Sequence, residues 1–184
     1  MKWDVLKTTY LLNTDWLTVR KDHIRQPSGI ELDDFYIIES RDWVNILAIT
    51  EDGQYIIEEQ YRHGIQQVCT ELCAGNVEKD ETPLLAAQRE LLEETGYTGG
   101  EWSLIGTFSP NASAMTNLCY CFLAKGVRKV HEQHLDKSED IRIQLISESE
   151  LRKLLADDCF IEGIMAAPIW KYLLTINQEN NKII

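Results

Sequence analysis

From Gly75 to Tyr97 the chain reads GNVEKDETPLLAAQRELLEETGY, and this stretch constrains both fold and chemistry more tightly than any other. Thr82 and Pro83 predict a helix start, with threonine as N-cap and proline in the first turn. Gly96 predicts a left-handed stop. Glu90, Glu93 and Glu94 lie three and four residues apart on that helix, after a glycine-led loop carrying Glu81. At about 100° per residue they share one face, within an arc of roughly 100°. Leu84, Leu85, Ala87, Leu91 and Leu92 fall on roughly the opposite side. The spacing therefore predicts an apolar face against a core and an acidic face turned away from it.

Like charges four apart destabilise a helix. A surface helix would interleave lysines, but the only cation here is Arg89, at the border of the acidic arc. Hard divalent cations such as Mg²⁺ bind carboxylate oxygens and would relieve the repulsion. From spacing alone a solvated acidic face stays open beside a cation site.

The pattern is longer than one helix face. Gly75, Glu81, Arg89, Glu90, Leu91, Glu93, Glu94, Gly96 and Tyr97 fill every fixed position of the Nudix box, nine positions in a 23-residue window. The chain thus resembles the Nudix hydrolases. That resemblance implies an α+β fold, a mixed β-sheet sandwiched between helices. It also implies Mg²⁺ or Mn²⁺ as cofactor and hydrolysis of a diphosphate bond. Divalent ions would bridge the carboxylates and the phosphate oxygens, which an acidic helix alone would repel. Glu90 and Glu94 become the main metal ligands, Glu93 a ligand or a neighbour of the ligands, and the Ala74 carbonyl a further one. Glu81 supports the loop or a water, and Arg89 pairs with a nearby glutamate to tie loop to helix. Gly75 and Gly96 are positions where a side chain would interfere.

Outside the box the chain looks most like the ADP-ribose pyrophosphatase branch, from about Trp43 to Leu155. The carriers are Glu59-Gln60-Tyr61-Arg62, Glu71-Leu72-Cys73-Ala74-Gly75, and Ser109-Pro110. They imply Arg62, Glu71, Pro110 and Asn117 as substrate contacts. A surface ion pair of Arg62 with Glu58 or Glu59 is the other reading of that arginine. Glu139, with Asp136 behind it, matches the family's second catalytic region as general base, and a solvated acidic loop is the alternative. Cys73 stands where proline is common, Asn111 replaces a glycine, and Met115 stands near the place of a substrate-binding glutamate. Trp16, Phe35 and Trp43 are the candidates for stacking on a base.

The net charge of −12 argues against nucleic acid and anionic membranes as partners, since both recognise basic patches. A nucleoside diphosphate sugar remains compatible with it, given metal ions and a few arginines. No apolar run reaches the ~20 residues of a membrane span. The charged N-terminus lacks the apolar core of a signal peptide, so the expected location is cytoplasmic. Cys69, Cys73, Cys119, Cys121 and Cys159 form no CxxC pair and are read as reduced thiols rather than a zinc site.

In chain order, residues 1–40 read as a small antiparallel β meander, and residues 41–184 as the hydrolase domain. The meander is too short to bury a core by itself. In this branch such a region is often exchanged between subunits, so a homodimer is expected. Residues 44–50 and 55–61 flank an Asp-Gly turn and predict a hairpin. Strands are further expected at 68–73, 101–108, 117–124 and 141–146, with a polar excursion over 126–139. A capping box at Ser147 and Glu150 opens one helix. A last helix is expected over about 161–176, bent at Pro168, with a frayed polar tail after it.

Overall fold

The computed structural model describes residues 2–14 and 17–180. The elements are β1 (Asp4–Asn13), β2 (Thr18–Arg25), β3 (Glu31–Glu39), β4 (Trp43–Thr50), β5 (Tyr55–Arg62), β6 (Gln67–Glu71), β7 (Cys73–Asn76), α1 (Pro83–Thr95), β8 (Tyr97–Phe108), β9 (Cys119–Lys129), β10 (Ile141–Ile146), α2 (Glu148–Ala156) and α3 (Gly163–Asn180).

They fall into two compact units. One comprises residues 1–41 and 109–118, the other residues 42–108 and 119–184. In the first, β1, β2 and β3 form an antiparallel sheet in that order. Segment 109–118 is stitched to β3: the Ile38 N–H donates to Ala114 O at 2.7 Å, and the Thr116 N–H to Ile38 O at 3.1 Å.

The second unit is built on a seven-stranded mixed sheet, with β10, β5, β4, β9 and β8 in line, β6 added on β5 and β7 on β4. Among the described strands of this sheet, only β4 and β9 pair in parallel. Every residue of β4 after Trp43 is buried. That explains why its sequence is apolar nearly throughout, with Asn45 the exception inside it, because helices cover both faces of a central strand. Val44, Ile46 and Ala48 pack with Ala86, Ala87 and Leu91 of α1. Leu47 and Ile49 pack with Leu151 and Leu155 of α2 and Met165, Ile169 and Leu173 of α3. The α+β sandwich expected from the sequence is the observed fold. Between β4 and β5 the chain turns at Gly53, with φ of 77° and its N–H bonded to Thr50 O at 2.9 Å.

The helix boundaries are those that the capping residues predict. The Leu85 N–H donates to Thr82 Oγ1, Pro83 opens α1, and Gly96 closes it at φ 75°. At α2 both arms of the Ser147–Glu150 capping box are formed.

Four expectations need correction. Leu84 and Leu85 are exposed, whereas Glu90 and Glu94 are buried, so α1 does not divide into an apolar and an acidic face. Strand β8 begins at Tyr97 and β9 runs on to Lys129, because Gly99, Gly100 and Gly126 take positive φ inside strands whose alternation they interrupt. A ten-residue β1 precedes the pieces that looked β-prone. Helix α3 carries Pro168 inside it and continues to Asn180, into the stretch expected to fray. The stacking candidate Trp16 lies outside the described residues.

Candidate active site

Helix α1 buries a stripe made of Ala87, Glu90, Leu91 and Glu94, the i, i+3, i+4, i+7 rhythm of a core-facing helix. Half of that stripe is glutamate. Ala86 and Ala87 bring the helix close to the sheet, and β7 comes to lie against its acidic edge. A Cβ on Gly75 would stand 2.0 Å from the carboxyl carbon and from Oε1 of Glu90. The missing side chain is what admits that carboxylate. One turn on, Glu94 Oε2 accepts the Ala74 N–H at 3.0 Å. It is thus the amide of Ala74 that meets Glu94.

Burial pushes the Glu90 carboxyl up to about 7, against the opposing pull of Arg89. Burial also raises the Glu94 carboxyl and the charge of Glu90 adds to the rise, against the opposing pull of hydrogen bonds from the Cys73 thiol and the Ala74 N–H. Glu93 is half-buried beside them.

Arg89 serves as the clamp of the loop. Its Nε and Nη2 donate to the two oxygens of Glu81 at 3.1 and 3.0 Å. Its Nη1 lies 2.8 Å from Glu90 Oε1 and 3.1 Å from Glu93 Oε2, and Nη2 also donates to Asn76 O at 3.0 Å. Glu81 is held below the usual carboxylate range by that guanidinium. One cation therefore ties loop, β7 and helix together and still leaves Glu94 without a positive partner in this network.

The chain after β9 folds back over the end of α1. Gln133 Nε2 donates to Glu94 O at 2.7 Å and to Ile141 O at 3.2 Å, and the His134 N–H donates to Glu93 O at 2.8 Å. This pins the following turn, in which Glu139 Oε2 accepts the Asp136 N–H at 2.8 Å. The charge of the half-buried Glu139 adds to the rise of the Glu58, Glu90 and Glu94 carboxyls, so it lies within electrostatic reach of the cluster.

On β5, Arg62 forms a two-pronged pair with Glu71 of β6, at 2.8 and 2.5 Å. Its partner is neither Glu58 nor Glu59. Glu71 is buried while Arg62 is only half so, and the guanidinium lines an open cavity of about 480 Å³ together with His63, Ile65, Gln67, Ile161 and Glu162. Pro110 and Asn117 belong to the other compact unit. Asn117 is buried and its amide atoms have no hydrogen-bond partner among the described residues. Phe35, in that unit, meets Trp3 edge to face with centroids 6.1 Å apart, so its ring already has a partner. Trp43 opens β4, half-buried.

Sequence reasoning overlooked Glu58 as part of the cluster. It is buried, its Oε1 has no partner among the described residues, and burial together with the charges of Glu94 and Glu71 raises its carboxyl well above the ordinary value. The signal was available: on β5 it stands two residues after Ile56, which faces α1, so the strand period sends Glu58 to the same side.

The residues fit a divalent cation by the chemistry of their donors. Buried carboxylates outnumber the cations among them, and each excess charge costs desolvation that a metal ion would offset. Oxygen ligands predominate, as Mg²⁺ and Mn²⁺ prefer.

Residues 3–38 match the model of the nucleoside diphosphate sugar hydrolase N-terminal domain. An ADP-ribose pyrophosphatase of Bacillus subtilis is 32% identical over 61% of this chain, and the match spans 61% of that relative's own length. A methanol dehydrogenase activator of Bacillus methanolicus is 28% identical over 73% of this chain and 72% of that protein. A crystal structure of an ADP compounds hydrolase shares the fold with a TM-score of 0.85, at 18% identity, covering 97% of this chain and 96% of that one. With the NUDIX domain model matching residues 39–162, more than half of its length, the chain belongs to the NUDIX family.

Proposed function

We propose that this protein hydrolyses the diphosphate bond of a nucleoside diphosphate sugar, ADP-ribose first, to AMP and ribose 5-phosphate. The observation that carries the reading is the glutamate-bearing core stripe of α1, with Glu90 seated against Gly75 and Glu94 against Ala74. Glu90, Glu94 and Glu93 would hold Mg²⁺ or Mn²⁺, with the Ala74 carbonyl as a further ligand. The bound cation supplies charge neutralisation for the diphosphate and Lewis acidity toward phosphate oxygen and attacking water.

The chain's own groups do the rest. Arg89 and Glu81 hold the loop so that the carboxylates stay in place. Glu139 would take the proton of the attacking water as general base. Arg62, oriented by the buried Glu71, presents its half-exposed guanidinium to a phosphate, for which its planar fork is suited. The N-terminal domain match supports a nucleotide-sugar substrate, and the names of the relatives support ADP-ribose. Pro110 and Asn117 would contact the substrate, a reading that rests on the resemblance of Ser109-Pro110 and the loop after it to the ADP-ribose pyrophosphatase branch. Cys73, Asn111 and Met115, where the ADP-ribose branch carries other residues, favour a second substrate reading, a GDP-sugar or a dinucleotide.

A homodimer belongs to the proposal. All ten residues of β1 are exposed, including Val5, Leu6, Tyr10, Leu11 and Leu12, apolar side chains that a second copy would cover. A monomeric mass in light scattering would overturn it.

The function is tested with a panel of ADP-ribose, ADP-glucose, GDP-mannose, NADH and diadenosine polyphosphates, with Mg²⁺ or Mn²⁺. Phosphate is read after coupling to alkaline phosphatase. ADP-ribose is expected to turn over fastest. Binding of these compounds without turnover would replace the hydrolase reading by that of a regulatory nucleotide-sugar-binding domain.

A further inference from the structure

Beneath the helix-face glutamates lies a second set of donors. Glu58 of β5, Cys73 of β7 and Glu94 of α1 are all buried, and each brings one ligand atom to within 4.8 Å of the other two. Glu58 is 3% exposed, and its Oε1 has no hydrogen-bond partner among the described residues. A carboxylate oxygen sealed from water and left unbonded is costly. The strand period aims it at the face of the sheet that α1 covers, where Cys73 and Glu94 lie. Arg62, the cation on the same strand, is occupied by Glu71.

We propose that Glu58, Cys73 and Glu94 form a cation site on the sheet side of α1, taking a thiophilic divalent ion such as Zn²⁺ or Co²⁺. Two carboxylates and one thiolate make a mixed oxygen–sulfur set. Sulfur discriminates against Mg²⁺, which prefers oxygen alone, and favours ions of borderline softness. Bond lengths of about 2.3 Å to sulfur and about 2.1 Å to oxygen place tetrahedral donors roughly 3.6 Å apart. Donors within 4.8 Å reach that spacing by small side-chain rotations. On binding, a metal–sulfur bond forms and the thiol proton passes to solvent. Glu94 is shared with the site of the proposed hydrolysis, but the inference does not depend on that reading. A Zn²⁺ ion here would occupy a helix-face ligand from below, so the two sites would be coupled through one carboxylate.

The test uses the full chain, stripped of metal and without substrate, so that a failed hydrolase reading and a failed metal site are separate results. Titration with Co²⁺ should produce the visible bands of a tetrahedral ion and a near-ultraviolet sulfur-to-cobalt charge-transfer band. Cys73→Ser should remove the charge-transfer band, Cys69→Ser should retain it, and Glu58→Gln should weaken Co²⁺ binding at least ten-fold. Absence of the band in the wild-type chain, its survival in Cys73→Ser, or unchanged affinity in Glu58→Gln would overturn the site. Should a variant fail to fold, X-ray absorption of the Zn²⁺-loaded wild-type chain decides. One sulfur at about 2.3 Å supports the site, and a shell of oxygen and nitrogen alone refutes it.

Discussion

Gly75 and Glu90 compete for one volume: a Cβ at Gly75 would lie 2.0 Å from Glu90 Oε1. The obstructing atoms are the far end of a flexible side chain, so Gly75→Ala can be accommodated by swinging the carboxylate away. The fold then survives while the ligand geometry does not. Gly75→Ala is expected to lower kcat/KM at least 100-fold, which at ~1.4 kcal/mol per decade is about 3 kcal/mol of transition-state stabilisation. Thermal denaturation should show a Tm within a few degrees of wild type. A large Tm loss with activity per folded molecule intact would contradict the assignment.

Glu94 has a cost in the metal-free protein that its role as a ligand would offset. It is buried, and burial raises its carboxyl. Glu94→Gln keeps an oxygen to accept the Ala74 N–H and removes the buried charge. Above neutral pH this variant should be at least as stable as wild type without metal, should gain no Tm from Mg²⁺ or Mn²⁺, and should lose turnover by several orders of magnitude. Activity unchanged in this variant would sink the ligand assignment.

Arg89 makes contacts that lysine cannot reproduce. Its fork grips both oxygens of Glu81 while Nη1 serves Glu90 and Glu93. Lysine retains the charge but not the fork. Arg89→Lys should cost about 1–3 kcal/mol, judged by bonds lost to charged groups, and lower Tm by several degrees in differential scanning calorimetry. A variant indistinguishable from wild type would remove the arginine from its place as clamp.

The pH dependence of stability has a defined sign. Glu90 titrates near 7 in the metal-free fold and near 4.3 in an unfolded chain. A carboxyl raised by folding contributes stability below its unfolded pKa, and that contribution disappears as pH rises through the folded value. Glu58 and Glu94 shift in the same direction. Glu81 shifts the other way and matters only below about pH 4.5. The metal-free protein should therefore lose Tm steadily between about pH 4.5 and 7.5, and Mg²⁺ or Mn²⁺ should restore most at the upper end. A Tm that climbs across this window without metal would contradict the burial of these groups.

Gly96 tests the fold rather than the site. Its φ of 75° is left-handed, and a Cβ there would lie 2.0 Å from the His131 carbonyl oxygen, a backbone atom that cannot step aside. Gly96→Ala should cost about 1–3 kcal/mol from strain and crowding. It should loosen the 130–140 segment, which hydrogen exchange at Val130 and His131 would report, since both amides bond to Gly96 O.

Much of the molecule was legible before any coordinates. Capping residues set the ends of α1 and the start of α2 because they act within one turn of chain. The Asp-Gly turn gave away the hairpin of β4 and β5 for the same reason. The apolar residues of β4 marked a strand, but that helices cover both of its faces is a fact of the tertiary structure. Glycines inside β8 and β9 hid the ends of those strands, since alternation is the signal and a residue without a side chain carries none. In β1 the apolar residues face no core in this chain, so their pattern had nothing to be measured against.

The NUDIX box, with its glutamates, arginine and glycines, was determined by the sequence alone. Spacing also placed Glu90, Glu93 and Glu94 on one side of a helix, because helical geometry is local. Which side meets the core is not local, and only the tertiary structure decided it. The sheet lies under Ala87, Glu90, Leu91 and Glu94 together, so two of the acids are buried in the same stripe as the apolar residues. Long-range pairing then brought Glu58 from β5 and Cys73 from β7 up to Glu94, and Glu71 from β6 to Arg62. Those partners come from separate strands, and strand register rather than sequence spacing determines which of them meet.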